Sequence, residues 1–329
     1  MSTPSIATAL WSVAPGRAEL RDEPLPEPKA GQVRVRMVRS GISRGTEALV
    51  LHGRVPDSQV EAMRGPHQQG EFPFAVKYGY MAVGVVENGD LTGKLVHCLH
   101  PHQDRFVVDR SAVVPVPEGV PARRAVLAAN METALNGVWD ARPGPGDRIC
   151  VVGGGVVGCL VAWLLGQIPG TQVVLVDTLA GRAGTAAALG VSFELPEDAP
   201  PNCDLVVHTS GAPAGLRTAL AAAGTEATVL EMSWYGDRPV PVMLGEAFHS
   251  RRLVLRSSQV GRIPAHRTAR WSYRRRMGVA LKLLEDDALD VLLDGQTPFS
   301  RLPARLAEIC DKPGVLCHSV VYPHADVGP

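Results

Sequence analysis

Aromatic side chains are scarce: Phe, Trp and Tyr together make up 5% of the 329 residues. Cores must therefore be built from small aliphatic side chains. Neither sign of charge is in excess, with 33 Lys plus Arg against 33 Asp plus Glu. No net field favours nucleic acid or an anionic membrane surface, and neither partner is expected. No apolar run reaches the roughly 18 residues a membrane-spanning helix needs. The opening stretch MSTPSIATALWSVAPGR has no basic region ahead of an apolar one, so no secretory signal is expected and a cytoplasmic setting is. Six cysteines occur, at 98, 150, 159, 203, 310 and 317, with no CxxC pair. Several sit in apolar runs such as RICVVGG, the setting of buried, reduced thiols. There is no internal repeat and no low-complexity tract.

What is present is an ordinary globular composition, 45% hydrophobic and 20% charged, over a length that suits two domains. In the first 120 or so positions, QVRVRMVRSGIS alternates as a strand does, VGVVENGDLTGKLVHCL reads as strand–turn–strand, and DRFVVDRSAVVPVP continues the pattern. This is an antiparallel, barrel-like β region. The texture then changes. PARRAVLAANMETALNGVWDA has helical spacing and stops at the breaker run RPGPGD. Apolar strands (RICVV, TQVVLVD, CDLVVHTS, EATVLEMSW, RRLVLRSSQ) then alternate with helical stretches, which implies a parallel sheet covered by helices. The tail has a basic helix near 267–286, a helix near 300–312 and a last strand GVLCHSVVY; a tail of this size is marginal alone and is expected to return to the first domain. The expected division is 1–130 with 262–329 for the substrate domain and 131–261 for the nucleotide domain.

RICVVGGGVVGCLVAWLLG is the strongest local signal. Gly153, Gly155 and Gly158 satisfy GxGxxG between a strand and a helix: one for a tight turn, one for close approach of a pyrophosphate, one for helix–strand packing. Val156 and Val157 open the helix, whose free N–H groups suit phosphates. Asp177 closes the next strand, where a carboxylate accepts from the adenosine ribose and repels a 2′-phosphate. NAD is thus expected over NADP, with Thr178 and Arg182 beside it and Thr209 and Ser210 at the end of the fourth strand completing the candidate cofactor contacts.

The order and spacing of GISRGTE, FPFAVKYGYMAVGVVENG, NMETALNGVW and GGGVVG resemble the medium-chain dehydrogenase/reductase superfamily over nearly the whole chain. GISRGTE is most similar to bacterial zinc-alcohol-dehydrogenase-like proteins. The resemblance implies an α/β chain with a GroES-like β-rich catalytic domain and a doubly wound Rossmann domain, a small-molecule substrate and a homodimer. RRLVLRSSQ is the candidate edge strand for such pairing. It also implies that Arg44 and Thr133 contact the cofactor, Arg44 through its planar guanidinium on the pyrophosphate.

The departures from the family matter equally. Where zinc-dependent members place a cysteine, a histidine and a second cysteine, this chain has Ser43, Tyr80 and Ala129 or Asn130. Catalytic zinc takes three Cys, His or carboxylate ligands, and the four-cysteine structural lobe is missing too, so no zinc is expected. VHCLHPHQD offers His97, Cys98, His100 and His102, but His97 and Cys98 face opposite ways on a strand. His102 is a candidate cleft residue.

Without a metal, charge control falls to protein groups. Tyr80 is a candidate electrophile or proton donor, Lys77 a candidate for lowering its pKa if the two meet, and Ser43 a candidate hydrogen-bond partner for a substrate oxygen. A core tyrosine and a surface lysine are the structural alternatives. Glu47 either orients Arg44 or caps backbone; Glu132 and His249 are further cleft candidates, and ARWSYRRRMG is either an anion-attracting segment or a solvated helix face. Three functions fit: hydride transfer between NAD(H) and a hydroxyl/ketone pair, reduction of a quinone or activated C=C bond, and nucleotide binding without turnover.

Overall fold

A computed structural model describes residues 5–323. Residues 1–4 and 324–329, the ends of the expected substrate domain, lie outside them. The chain forms two compact units. One comprises Met1–Ala129, Met277–Asp286 and Leu293–Pro329; the other comprises Asn130–Arg276 and Asp287–Leu292. Residues 262–276 fall in the second unit. Arg276 ties them there: it is 2% exposed, donates from Nε to Glu132 at 3.0 Å, also bonds Asn136, and donates from Nη2 to Val260 O at 2.7 Å.

The second unit carries a six-stranded parallel sheet among the described residues. Taking its strands in chain order (Arg148–Val152, Gln172–Val176, Ser192–Glu194, Cys203–His208, Ala223–Glu231, Val254–Ser257), they lie side by side as 3-2-1-4-5-6. The chain thus leaves its first strand in one direction for strands 2 and 3 and in the other for strands 4 to 6. The crevice at that reversal, beyond the carboxyl ends of strands 1 and 4, is where open parallel sheets bind ligands. RICVV is buried along four of its five residues, as a strand covered on two faces must be. The uncharged helix Val156–Gly166 packs from Gly158 to Leu165. Cys150, Val152, Val206, Val229, Leu216 and Leu220 share one core cluster, each large aliphatic contributing about 1.5–3 kcal/mol on burial.

In the first unit the order is Leu293–Pro298, Cys317–Val321, Gln32–Ile42, Ala82–Val86, Leu95–Cys98 and Val113–Pro115, with Arg105–Asp109 also pairing Gln32–Ile42. The tail strand pairs antiparallel with Gln32–Ile42, from His318 opposite Ile42 to Val321 opposite Arg39. The helix Leu302–Asp311 supplies Leu306 and Ile309 to the same core.

Strand Gln32–Ile42 is irregular at one point. Up to Met37 the odd positions Val33, Val35 and Met37 face the core; a bulge between Met37 and Arg39 shifts the phase, and Val38, Ser40 and Ile42 are buried instead. A bulge inserts one residue and re-aims every side chain after it. It turns the hydroxyl of Ser40 into the interior.

All six cysteines are buried and unbridged. His97 and His100 are buried as neutral imidazoles: burial pushes them down to about 4 and about 3, and His100 stacks on Phe106 with ring centroids 3.8 Å apart. Unfolding releases both to the ordinary value near 6.5, so the unfolded chain binds more protons below that pH. Stability is therefore full above about pH 6.5 and falls as the pH drops toward 4. Each imidazole is expected to cost about 2 kcal/mol at pH 5. Urea midpoints at pH 7 and pH 5 check this: His97→Leu should flatten the difference, and an unchanged slope would refute the assignment.

Candidate active site

The strand–turn–helix at Val152–Gly158 has the shape of a dinucleotide cradle. Gly153 sits at φ +115°, and a Cβ there would lie 2.6 Å from Ser210 N, so only glycine turns so tightly against the fourth strand. A Cβ on Gly158 would fall 1.8 Å from Gly153 O. Gly155 has nothing within 4 Å of its Cβ position and stands before the helix with its N–H groups open, leaving room for a pyrophosphate. Val156 and Val157 are half-buried in the first turn.

Around the cradle the expected residues take definite places. Asp177 Oδ2 accepts from Gly154 N–H at 2.6 Å and Oδ1 from Leu179 N–H at 2.9 Å. Both bonds fix the carboxylate at the end of the second strand while leaving lone pairs for ribose hydroxyls. Arg182 lies over the turn, its Cγ 3.2 Å from the Cβ position of Gly154, next to Asp177. Thr178 is exposed. Thr209 Oγ1 donates to Gly153 O at 2.9 Å, bracing the turn, and Thr133 is half-buried on the helix Ala128–Ala141. Ser210 Oγ is 2.6 Å from His208 Nε2, whose Nδ1 is 2.7 Å from Glu231 Oε2. Tyr235 donates to the same carboxylate oxygen at 3.0 Å. This Ser210–His208–Glu231–Tyr235 chain locks the ends of strands four and five together. Its Ser210 hydroxyl is pressed against the helix after strand four, since a Cβ on Gly215 would meet it at 2.2 Å.

The first unit holds a second polar cluster, built by the turn from Gln32–Ile42 into the helix Arg44–Leu51. Ser43 is the N-cap, yet its hydroxyl bonds no backbone N–H of the helix. Instead Glu47, one turn on, reaches back and accepts from Ser43 N–H at 2.8 Å. The Ser43 and Thr46 hydroxyls act on the phenol of Tyr80. Burial pushes that phenol up to about 12; the two hydroxyls pull it down and the charge of Glu47 lifts it further. Tyr80 is thus a neutral hydrogen-bond donor at any physiological pH. Tyr78 packs edge-on against it, ring centroids 6.0 Å apart.

Lys77 is not at this cluster. Among the largest buried side chains, 1% exposed, it spends its ammonium on Glu23 Oε2 at 2.7 Å and Gln103 Oε1 at 3.0 Å. The surface-lysine alternative is overturned as well: the strand Val76–Lys77 carries Lys77 inward, where Glu23 neutralises it. Arg44 is half-buried, its guanidinium 3.5 Å from Cys310 O. Glu132 is committed to its buried pair with Arg276, and His249 is exposed. Glu47 turns out to cap backbone rather than orient Arg44.

Sequence reasoning passed over three members. His102 stood as a cleft candidate without a partner; its Nε2 is 3.0 Å from Glu47 Oε2 and its Nδ1 2.7 Å from Ser40 Oγ, which lies 3.0 Å from Tyr322 Oη. Nothing local in the sequence signals Ser40 or Tyr322, which stand 282 positions apart. Thr46 was legible only as a hydroxyl one turn into a helix.

The residues at the zinc positions do not fit the metal. Ser43 offers a hydroxyl, Tyr80 a phenol that ionises only near pH 12, and Ala129 or Asn130 no ligand of the Cys, His or carboxylate type. Among the described residues no three His, Cys, Asp or Glu side chains are grouped to hold a metal ion.

No family model matches the chain. It is 22% identical over 315 residues to the D-guloside 3-dehydrogenase of Escherichia coli K12, covering 86% of this chain and 90% of that protein. Its backbone superposes on L-idonate 5-dehydrogenase of Escherichia coli with a TM-score of 0.78 at 15% identity, covering 97% and 99% of the two chains. Acetophenone reductase of Geotrichum candidum, solved with NAD, gives 0.77 at 15% identity over 98% of each chain. The chain has the fold of these dehydrogenases. That frame accounts for both units: a GroES-like β-rich domain that the tail strand completes, and a Rossmann domain whose 3-2-1-4-5-6 sheet carries the glycine turn.

Proposed function

We propose that this medium-chain protein is a nicotinamide-dependent oxidoreductase that moves a hydride between the cofactor and a hydroxyl/ketone pair of a small polyol or sugar-like metabolite. The observation that carries it is the coincidence, in one chain, of a glycine-built dinucleotide cradle and a phenol, Tyr80, that burial keeps neutral. The activity named for the guloside dehydrogenase points to the substrate class, a ring hydroxyl.

The bound nicotinamide supplies the hydride acceptor or donor. Everything else falls to side chains. Tyr80 donates a hydrogen bond to the substrate oxygen and stabilises negative charge growing there, the role a metal plays elsewhere. The donor set at Ser43 and Tyr80 assigns no step to zinc.

NAD is favoured over NADP because the fixed Asp177 carboxylate repels a 2′-phosphate; fold relatives carry either NADH or NADP, so the choice rests on this residue and on Arg182 beside it. Two copies pair through the Val254–Ser257 edge, exposed at every residue, with Val254 and Leu255 at 45% and 37%. Among the described residues no helix is long and apolar enough to cross a membrane.

Fluorescence titration with NADH and NADPH tests the cofactor half. Tight NADH binding is expected, weakened about ten-fold or more in Asp177→Ala as charge-assisted ribose bonds are lost, with NADPH unchanged or improved. Failure of both nucleotides to bind sinks the reading.

A further inference from the structure

One cluster of charge in the second unit takes no part in the proposed hydride transfer. Between Glu246 and Glu285 the chain carries nine arginines and no acidic residue. Arg276 is buried and paired with Glu132. Arg267 and Arg270 gather instead around His266 and Arg142, past the end of the helix Ala128–Ala141. Arg142 Nη2 is 3.2 Å from His266 Nδ1. A guanidinium can only donate, so Nδ1 accepts and the ring proton sits on Nε2, a further donor. Arg267 stacks on Trp139, 4.5 Å from the ring centroid, with Trp271 at 5.8 Å. Arg275 lies over Trp271 at 4.1 Å and donates to Arg270 O at 2.7 Å. Stacking uses the flat face of a guanidinium and leaves its edge N–H groups for a planar or tetrahedral oxyanion. The support is fixed: the two indoles pack at 4.6 Å, Arg276 Nη2 donates to Val260 O at 2.7 Å, and Tyr273 Oη donates to Gly261 O at 2.8 Å.

Countercharge is short here. Among the described residues Arg142, Arg267 and Arg270 pair with no carboxylate, and Arg267 Nε, closed off from water, has no acceptor. The acid that acts on His266 is Asp140, whose carboxylate already accepts from Ser258 Oγ at 2.7 Å and Asn136 Nδ2 at 3.1 Å. The helix end adds only about half a negative charge, and Arg256 Nη1 already donates to Asp140 O at 3.3 Å. A surplus of positive charge remains. It shows on the members: desolvation and the charge of Arg270 hold Arg267 below the usual arginine range, and desolvation with the charges of Arg142, Arg267 and Arg270 pulls His266 below its own. Like charges at this spacing repel. Arg142, His266 and Arg270 are exposed, so no buried core requires them.

We propose that this cluster is a phosphate-binding site: the Arg267 fork seated on Trp139, with Arg142, Arg270 and His266 Nε2 around it, takes a dianionic phosphate, free or as the monoester of a small metabolite. A dianion matches the surplus, and planar guanidiniums suit its oxygens. A nucleic-acid strand fits less well. The basic groups gather about one imidazole, and Trp139 is 6% exposed with Arg267 over its face, which leaves no open ring there for a base. The site lies within one unit and stands whether or not the protein turns over a hydroxyl.

Isothermal titration of the full chain with sodium phosphate at low ionic strength tests the site. One phosphate per chain is expected, weakening steeply as salt is added. Arg267→Gln and Arg270→Gln should each lower the affinity about ten-fold, and Arg267→Lys, which keeps the charge but loses the fork and the stack, should recover only part. In chloride alone Arg270→Gln should melt no lower than wild type, because it removes a repelling charge; a lower melting temperature marks a structural role and overturns the proposal. Should the Arg267 variants fail to fold, Arg270→Gln and Arg142→Gln decide. Glucose 6-phosphate run beside inorganic phosphate separates the sources: tighter binding of the monoester assigns a metabolite's phosphate, and tighter binding of the inorganic ion assigns free phosphate. Repeating the titration in saturating NADH sets the dinucleotide cradle aside. No phosphate binding, an affinity unchanged in both Arg270→Gln and Arg142→Gln, or displacement of phosphate by NADH overturns the proposal. An oligonucleotide that binds and that phosphate cannot displace does so too. Failure of NADH itself to bind removes the dehydrogenase reading and leaves the arginine variants to place the phosphate.

Discussion

Tyr80→Phe is expected to lower kcat by about 10²–10³ while leaving the NADH dissociation constant within about two-fold. The change deletes one oxygen and keeps the ring, so the edge-on packing with Tyr78 at 6.0 Å survives. What disappears is the donor proposed for the substrate oxygen. Removing one preorganised donor from such a site costs roughly 3–4 kcal/mol in the barrier, because water-excluded surroundings make the bond worth more in the transition state than in the ground state. The measurement is NAD-dependent oxidation of a panel of polyols and glycosides, with kcat and KM separated. A fall confined to kcat supports a transition-state role; a rise in KM alone makes Tyr80 a binding residue. Full activity in the phenylalanine variant removes Tyr80 from the chemistry. Because its phenol titrates only near 12, no alkaline loss of activity from Tyr80 is expected between pH 7 and about pH 11 in the native enzyme.

Gly158→Ala is expected to abolish measurable NADH binding, a loss of more than about 100-fold, and to lower stability by roughly 1–3 kcal/mol. The added methyl would stand 1.8 Å from Gly153 O and 2.5 Å from Thr209 Oγ1. Neither atom can retreat cheaply: one is backbone in a turn at φ +115°, the other braces that turn from the fourth strand. The helix Val156–Gly166 must move away from its strand, carrying its N-terminal N–H groups off the phosphate position. Gly155→Ala separates the two effects. Its backbone lies at φ −73° and its Cβ meets nothing, so stability should hold while affinity falls as the methyl enters the space kept for pyrophosphate. Thermal melting beside fluorescence titration reads both. Equal NADH affinity in wild type and Gly158→Ala would remove the cradle from cofactor binding.

The glycine turn was legible because its signals are local. A turn, a helix start and a strand-end carboxylate lie within the 25 positions from Gly153 to Asp177, and each depends on backbone geometry that residue type controls directly. The same holds for the missing zinc ligands, which are matters of donor chemistry. The polar cluster at Tyr80 was only half legible. Ser43 and Tyr80 stood out as replacements at family positions, but Lys77, three residues from Tyr80, lies on a strand that carries it to Glu23 and Gln103 instead. Proximity in sequence gave the wrong partner, since alternate residues of extended backbone face opposite ways.

From the sequence alone came the order of β region, alternating α/β region and returning strand, and the place of the dinucleotide turn, since periodicity and glycine chemistry act over a few residues. Tertiary structure alone decided which groups meet Glu47 and His102. The bulge at Met37–Arg39 rotates Ser40 inward, and the return of the chain brings Tyr322 to it across 282 positions. Such contacts depend on register and on the packing of distant segments, and no short-range preference of Ser40, Glu47, His102 or Tyr322 encodes either.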